Sequence, residues 1–209
     1  MELREELQNA LNELRKGKER KFDQTVDLMI NLQKFNVKKT PLNLFITVPH
    51  KMKKKVIGAF LEVARKDIET ITPDQFKKYN DKKVIKKFVR KFDFFIAQAS
   101  VMPKVATTFG KILGPAGKMP SPQLGIIINV DDKTIEELKT KIATNIKIKV
   151  KEPSIKVAIA KQSMKDSEII ENVLAVYNNL VKVLPREKEN IKNIELKFTM
   201  TKPQKIILK

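Results

Sequence analysis

Residues 42–64 read LNLFITVPHKMKKKVIGAFLEVA, and two kinds of strand meet inside them. LNLFITV (42–48) is a strand that Pro49 stops, because proline has no N–H to donate to a ladder. A cationic cluster follows at Lys51, Lys53, Lys54 and Lys55. VIGAFLEVA (56–64) is then almost continuously apolar, the texture of a strand covered on both faces. Upstream, TVDLMINL (25–32) alternates instead, with Val26, Leu28, Ile30 and Leu32 on one face and Thr25, Asp27, Met29 and Asn31 on the other, as a half-buried strand does. Downstream, FDFFIAQ (92–98) repeats the continuous texture. Residues 42–64 therefore mark a boundary between two kinds of sheet.

Helical patterns fill in the rest. Leu3, Leu7, Leu11 and Leu14 share one face of a helix that Gly17 ends. In DKKVIKKFVRK (81–91), Val84, Ile85, Phe88 and Val89 form an apolar stripe flanked by Lys82, Lys83, Lys86, Lys87, Arg90 and Lys91. SVMPKVATTFGKIL (100–113) is a short helical region, and Asp131 and Asp132 open another helix through Ile135, Leu138 and Ile142. Strands and helices that alternate in this way predict an α/β unit with a mostly parallel sheet. The alternating strand pattern returns at NIKIKVK (145–151) and SIKVAIAK (154–161), read as two strands joined by a tight turn at Glu152-Pro153. A helix with Ile169, Ile170, Val173, Leu174, Tyr177, Leu180, Val181 and Leu184 inward, and a strand NIELKFTM (193–200), complete the chain. The expected architecture is an α+β domain built from both ends, residues 1–52 and 145–209, with an α/β domain of residues 53–144 inserted through a two-stranded connection.

The 209 residues include 43 Lys and Arg against 24 Asp and Glu, a formal net charge of +19. A folded chain repels itself at that charge, so the excess points to a polyanionic partner, nucleic acid first and an anionic membrane second. No stretch approaches the roughly 20 apolar residues of a membrane span. The first residues, MELREELQNALNELRKGK, alternate in charge and lack the apolar run of a signal peptide. The expected location is cytoplasmic. Catalytic chemistry is poorly supplied: His50 is the single histidine and there is no cysteine, which removes Cys/His dyads and zinc sites. Asp131 and Asp132 are adjacent on a helix and do not converge. The chain reads as a non-enzyme, with no cofactor and no metal.

One loop invites a nucleotide reading. Residues 107–122 are TTFGKILGPAGKMPSP. Setting Gly117-Lys118 in the register of a phosphate-binding P-loop puts Ile112 where the first glycine belongs and Met119 where the hydroxyl belongs, so two defining positions fail. The bland alternative is a multiple turn shaped by glycine and proline.

The placement of the cations leans towards RNA. The lysines of 82–91 read as a solvated face. Lys147, Lys149 and Lys151 instead alternate along a strand opposite Ile146, Ile148 and Val150, a row that can meet successive phosphates. Neighbouring strands are expected to add Lys21, Phe22, Thr25, Asp27, Thr199 and Met200: hydroxyls, an aromatic ring and a thioether suited to 2′-hydroxyl and base or sugar contacts. No helix resembles a major-groove reader.

FDFFIAQASVMPKVATTFGKILGPAGKMPSP (92–122) resembles the signature of the universal large-subunit ribosomal protein family L-one, archaeal branch. RKFDQTVDLMINL (20–32), TVPHK (47–51) and KFTMTKP (197–203) extend the resemblance, in order, along the chain. It implies a first domain from both termini, a split β-α-β sandwich that binds RNA, and an inserted Rossmann-like three-layer domain. It further implies large-subunit rRNA as partner, a mobile stalk beside the exit site for deacylated tRNA, tRNA contact there, repression of the chain's own operon mRNA, and a monomer when free. The RNA-contacting positions fall on Lys21, Phe22, Thr25, Asp27, Thr199, Met200 and Thr201, and by pattern on Lys147, Lys149, Lys151, Glu152 and Ser154. Where the family often has Gly-Pro-Ser after Thr-Met, this chain has Thr201-Lys202-Pro203. The loop carrying Gly114, Pro115, Gly117, Lys118 and Pro120 becomes a structural corner facing RNA or tRNA, with Lys118 placed to touch a phosphate. The rivals are a nucleotide-dependent enzyme using the inserted domain and an anionic-membrane binder.

Overall fold

The computed structural model describes residues 2–18, 20–37, 42–52, 55–65, 67–79, 81–128, 130–150 and 152–206. The chain divides into two compact units, Met1–Lys53 with Thr144–Lys209, and Lys54–Ala143. The first unit holds α1 (Glu2–Arg15), β1 (Thr25–Leu32) and β2 (Asn43–Thr47). The second holds β3 (Ile57–Phe60), β4 (Glu69–Ile71), a 3-10 turn at Pro73–Lys78, α2 (Lys82–Lys91), β5 (Phe94–Gln98), α3 (Met102–Leu113), β6 (Ile126–Ile127) and most of α4 (Asp132–Thr144). The chain then returns to the first unit as β7 (Asn145–Lys149), β8 (Ser154–Lys161), α5 (Asp166–Val183), β9 (Ile191–Phe198) and β10 (Gln204–Ile206). The fold is α+β in the first unit and α/β in the second.

In the first unit four antiparallel strands lie in the order β10-β9-β1-β8. Alternation decides which face of β1 is inside: Val26, Leu28, Ile30 and Leu32 are buried and the residues between them are half exposed. The buried face packs with Leu7, Leu11 and Leu14 of α1 and Ile169, Val173, Val176 and Leu180 of α5. Each such side chain contributes about 1.5–3 kcal/mol by leaving water. The Arg15 guanidinium locks α1 to the first turn of α5, donating to Asp166 Oδ1 from Nε at 2.8 Å and Nη2 at 2.6 Å.

The expected tight turn at Glu152-Pro153 is corrected by the sheets. β7 pairs with β2 in a separate two-stranded ladder, whereas β8 pairs with β1. The hydrogen bonds show the changeover: Val150 N–H donates to Leu42 O, and Leu32 N–H donates to Pro153 O. Glu152-Pro153 is thus a corner between two sheets. Lys151 lies outside the described residues.

In the second unit four parallel strands run in the order β4-β3-β5-β6. One face carries an aromatic core in which Phe60, Phe76, Tyr79, Phe88, Phe92, Phe95 and Phe109 meet ring against ring, mostly edge-on or tilted. Gly58 is required beneath it, since a Cβ there would stand 2.8 Å from the Phe95 ring. Gly125 is required for its φ of +122° and for the Phe95 carbonyl only 3.0 Å from where a Cβ would sit. The long apolar run 56–64 makes a shorter strand than expected. The Glu62 N–H turns out of the ladder to the Gln98 side chain at 3.2 Å, and Val63 is 75% exposed. Within α2, Ile85, Phe88 and Val89 are buried as the stripe predicts, but Val84 is exposed.

Candidate nucleic-acid interface

Antiparallel pairing gathers three distant segments at one end of the four-stranded sheet. β1 begins at Thr25, which faces Lys161 at the end of β8, while Val26 faces Phe198 at the end of β9. The flanking residues 21–24, 161–163 and 199–201 therefore converge. Cross-bonds fix them. Thr199 N–H donates to Thr25 O at 3.1 Å, and the Thr199 hydroxyl accepts from Thr25 N–H at 3.0 Å. Thr201 folds the turn back, its hydroxyl accepting from Phe198 N–H at 2.9 Å.

Gln24 is the keystone. It is 2% exposed, accepts from Met200 N–H at 3.0 Å, and donates to the Gln162 side-chain oxygen at 3.1 Å. Asp23 accepts from both the Ser163 N–H and hydroxyl at 3.1 Å. The Lys161 ammonium donates to the Thr25 hydroxyl at 3.0 Å. On this braced backbone Phe22 and Met200 stand out at 52% and 58% exposure. Both are large apolar side chains presented to solvent beside the converging strand ends.

Asp27 sits nearby on β1 with Lys197 as its cross-strand partner. Burial raises its pKa from the ordinary carboxylate value, against the lowering pull of Lys197 and Lys161. A raised folded-state value means that Asp27 favours folding only while protonated, a contribution lost as pH rises through that value.

The sequence placed further residues on neighbouring strands, and the sheets separate them. Lys21, Phe22, Thr25, Asp27, Thr199, Met200 and Thr201 come together. Ser154 pairs with Asn31, six residues along β1 from Thr25, which puts Ser154 and Glu152 at the far end of the sheet, roughly 20 Å away. Lys147 and Lys149 belong to the β2–β7 ladder. Lys149 is exposed, but the Lys147 ammonium lies 5.4 Å from the Phe45 ring centre, and burial, then Lys149, lowers its pKa. Asp23, Gln24, Lys161, Ser163 and Lys197 were not picked out from the sequence. Their only signal is proximity to the strand ends, and it becomes readable once β8 and β9 are known to flank β1.

The glycine-proline loop has its own geometry. Gly117 adopts φ +70° and Lys118 N–H donates to Leu113 O, closing the end of α3. The Lys118 ammonium does not reach outward. It donates to Val89 O at 3.0 Å and Phe92 O at 2.6 Å, satisfying carbonyls at the C-terminal end of α2. The expected phosphate contact of Lys118 is replaced by this internal cap. Gly114 is exposed in helical conformation, Pro115 is exposed and Pro120 is buried.

A 540 Å³ crevice opens beyond the carboxyl ends of β3 and β5, lined by Glu62, Arg65, Asp67 and Gln98 among others. Strand order switches direction there, the usual ligand position in open α/β sheets. A phosphate would meet the Glu62 and Asp67 carboxylates, while the Arg65 guanidinium is paired with Asp132 and bonded to Val130 O. The crevice is mismatched to a nucleotide.

Residues 14–202 match the ribosomal protein L1p/L10e family. The large ribosomal subunit protein uL1 of Nanoarchaeum equitans is 33% identical over 202 residues, covering 92% of this chain and 95% of the relative. Those of Pyrobaculum aerophilum and Pyrobaculum calidifontis are 34% and 31% identical, each covering 97% of this chain and 94% of the relative.

Proposed function

Because the chain belongs to the ribosomal protein L1p/L10e family, we propose that it is a component of the large ribosomal subunit that binds rRNA through the braced end of the first unit's sheet. The observation that carries this reading is the pair of exposed side chains, Phe22 and Met200, flanking strand ends that the Gln24 and Thr199 bonds tie together. A preformed frame keeps the ordering cost of binding low. Phe22 and Met200 offer surfaces to a base or sugar. Lys161 and Lys197 supply cations, and Thr25 and Asp27 supply acceptors for 2′-hydroxyls. Recognition on this basis reads the shape of a folded RNA, with little base-edge readout.

The finer role follows the family resemblance. The rRNA so bound forms a mobile stalk beside the tRNA exit site, where the protein assists release of deacylated tRNA. The same surface binds a mimic of the rRNA site in the chain's own operon mRNA and represses its translation. The protein is non-enzymatic, a monomer when free and ribosome-associated once assembled.

The test is Thr199→Val, measured by filter binding to large-subunit rRNA. Its hydroxyl accepts from Thr25 N–H, so valine leaves that donor unmatched and loosens the turn behind Met200. Affinity is expected to fall about tenfold, matching about 1.4 kcal/mol for one unmade bond, and Thr199→Ser should recover most of it. Unchanged affinity would remove this turn from the interface.

A further inference from the structure

The α2 helix carries six cations in ten residues, and the interface above uses none of them. At 100° per residue they fall on one half of the helix as two rows, Lys82-Lys86-Arg90 and Lys83-Lys87-Lys91, each stepping i, i+4, about 6 Å along the axis. All six are exposed. Among the described residues none of the six side chains is paired with a carboxylate.

This arrangement is unfavourable for the helix on its own. Like charges four apart repel. The Asp81 carboxylate caps the helix, accepting from Lys83 N–H at 2.9 Å, but the first turn itself opens with Lys82 and Lys83 and holds no acid, the wrong sign for the positive end of a helix dipole. Nor is the basic last turn needed to cap the other end, because Lys118 already donates to Val89 O and Phe92 O. One capping carboxylate against six exposed cations leaves a net positive face that a polyanion would offset.

We infer that the outer face of α2 is a second RNA-binding surface, which grips the phosphate backbone of structured RNA without regard to sequence. RNA is favoured over a membrane by packing. A membrane-surface helix inserts its apolar face, but here Phe88 packs against the rings of Tyr79, Phe92 and Phe95, and Ile85 and Val89 are buried with it. Two straight rows of flexible ammonium groups suit successive phosphates, and they offer no planar fork for a base edge.

The full chain with Lys83→Gln, Lys87→Gln and Lys91→Gln is compared with a charge-matched control, Lys182→Gln, Lys188→Gln and Lys192→Gln, all exposed in the first unit. The probe is an RNA duplex of arbitrary sequence, about two turns long, titrated across salt. Loss of three phosphate contacts should reduce the slope of log K against log salt by roughly three, while the control changes it by less than one. Replacing the same three lysines with arginine should preserve the slope. The α2 triple should melt no lower than the wild type, because it relieves like-charge pairs. The second row, Lys82, Lys86 and Arg90 to Gln, provides an independent variant. Equal losses in the α2 and control triples would mean that only net charge matters and would overturn the inference. So would an arginine variant as weak as the glutamine one, or a triple that loses phosphatidylglycerol vesicles but keeps the duplex.

Discussion

Truncating Phe22 and Met200 together to alanine is expected to weaken binding to large-subunit rRNA about a hundredfold, with little change in Tm. The two readouts separate because of where these side chains stand. Both are more than half exposed, so the fold loses little buried area when they shrink. Bound RNA loses a stacking surface worth about 1–3 kcal/mol for the ring and an apolar contact for the thioether. A hundredfold change corresponds to about 2.7 kcal/mol, within reach of two central contact residues. Affinity is read by filter binding at fixed salt and stability by thermal melting. A binding loss below threefold would mean that the rRNA contacts a different face.

Asn172→Leu is expected to be the most damaging single change to the first unit. Asn172 is fully buried in α5. It accepts from His50 N–H at 3.0 Å and donates to His50 O and Ile159 O, each at 3.0 Å. Leucine matches its size and leaves three backbone groups unpaired, at about 1–3 kcal/mol for each that finds no water. The expected loss is about 3–4 kcal/mol, near the upper end for point changes, read as a lower urea midpoint for the transition of the first unit. The effect is local in origin. Asn172 holds the chain just past β2, where Pro49 has ended the strand, and the His50 imidazole adds a 2.6 Å contact with Glu171. A loss under 1 kcal/mol would show that these groups rehydrate freely.

The fold was largely legible because burial on one or two faces leaves different patterns in sequence. Alternation in 25–32 and continuous apolar runs in 92–98 assigned antiparallel and parallel sheets without any pairing information. Pairing partners were another matter. β7 and β8 are neighbours in sequence with similar alternation, and local spacing could not show that each would choose a strand far upstream. The error carried into the site, where one lysine row was attached to the wrong sheet. Residues at the converging strand ends were half recovered. Phe22 and Met200 carry a signal as exposed apolar groups flanking strands, while Gln24 looks like any loop polar residue until its two bonds are seen. Lys118 was misread because an ammonium near glycines looks poised for phosphate. Only packing reveals that it closes the end of α2.

The account rests on the first unit's sheet being sufficient for rRNA recognition, and its geometry allows a direct measurement. Thr47 pairs with Asn145 and Val48 N–H donates to Thr144 O, so the chain leaving β2 and the chain entering β7 are adjacent at residues 48 and 144. A chain in which residues 54–143 are replaced by a short Gly-Ser linker can therefore close as a hairpin. Its affinity for large-subunit rRNA is to be measured at several salt concentrations beside that of the full chain. Retained specific binding, with a shallower salt dependence from the missing α2 cations, is the predicted result. A shortened chain that melts cooperatively yet shows no preference for that rRNA over an unrelated structured RNA would contradict the account.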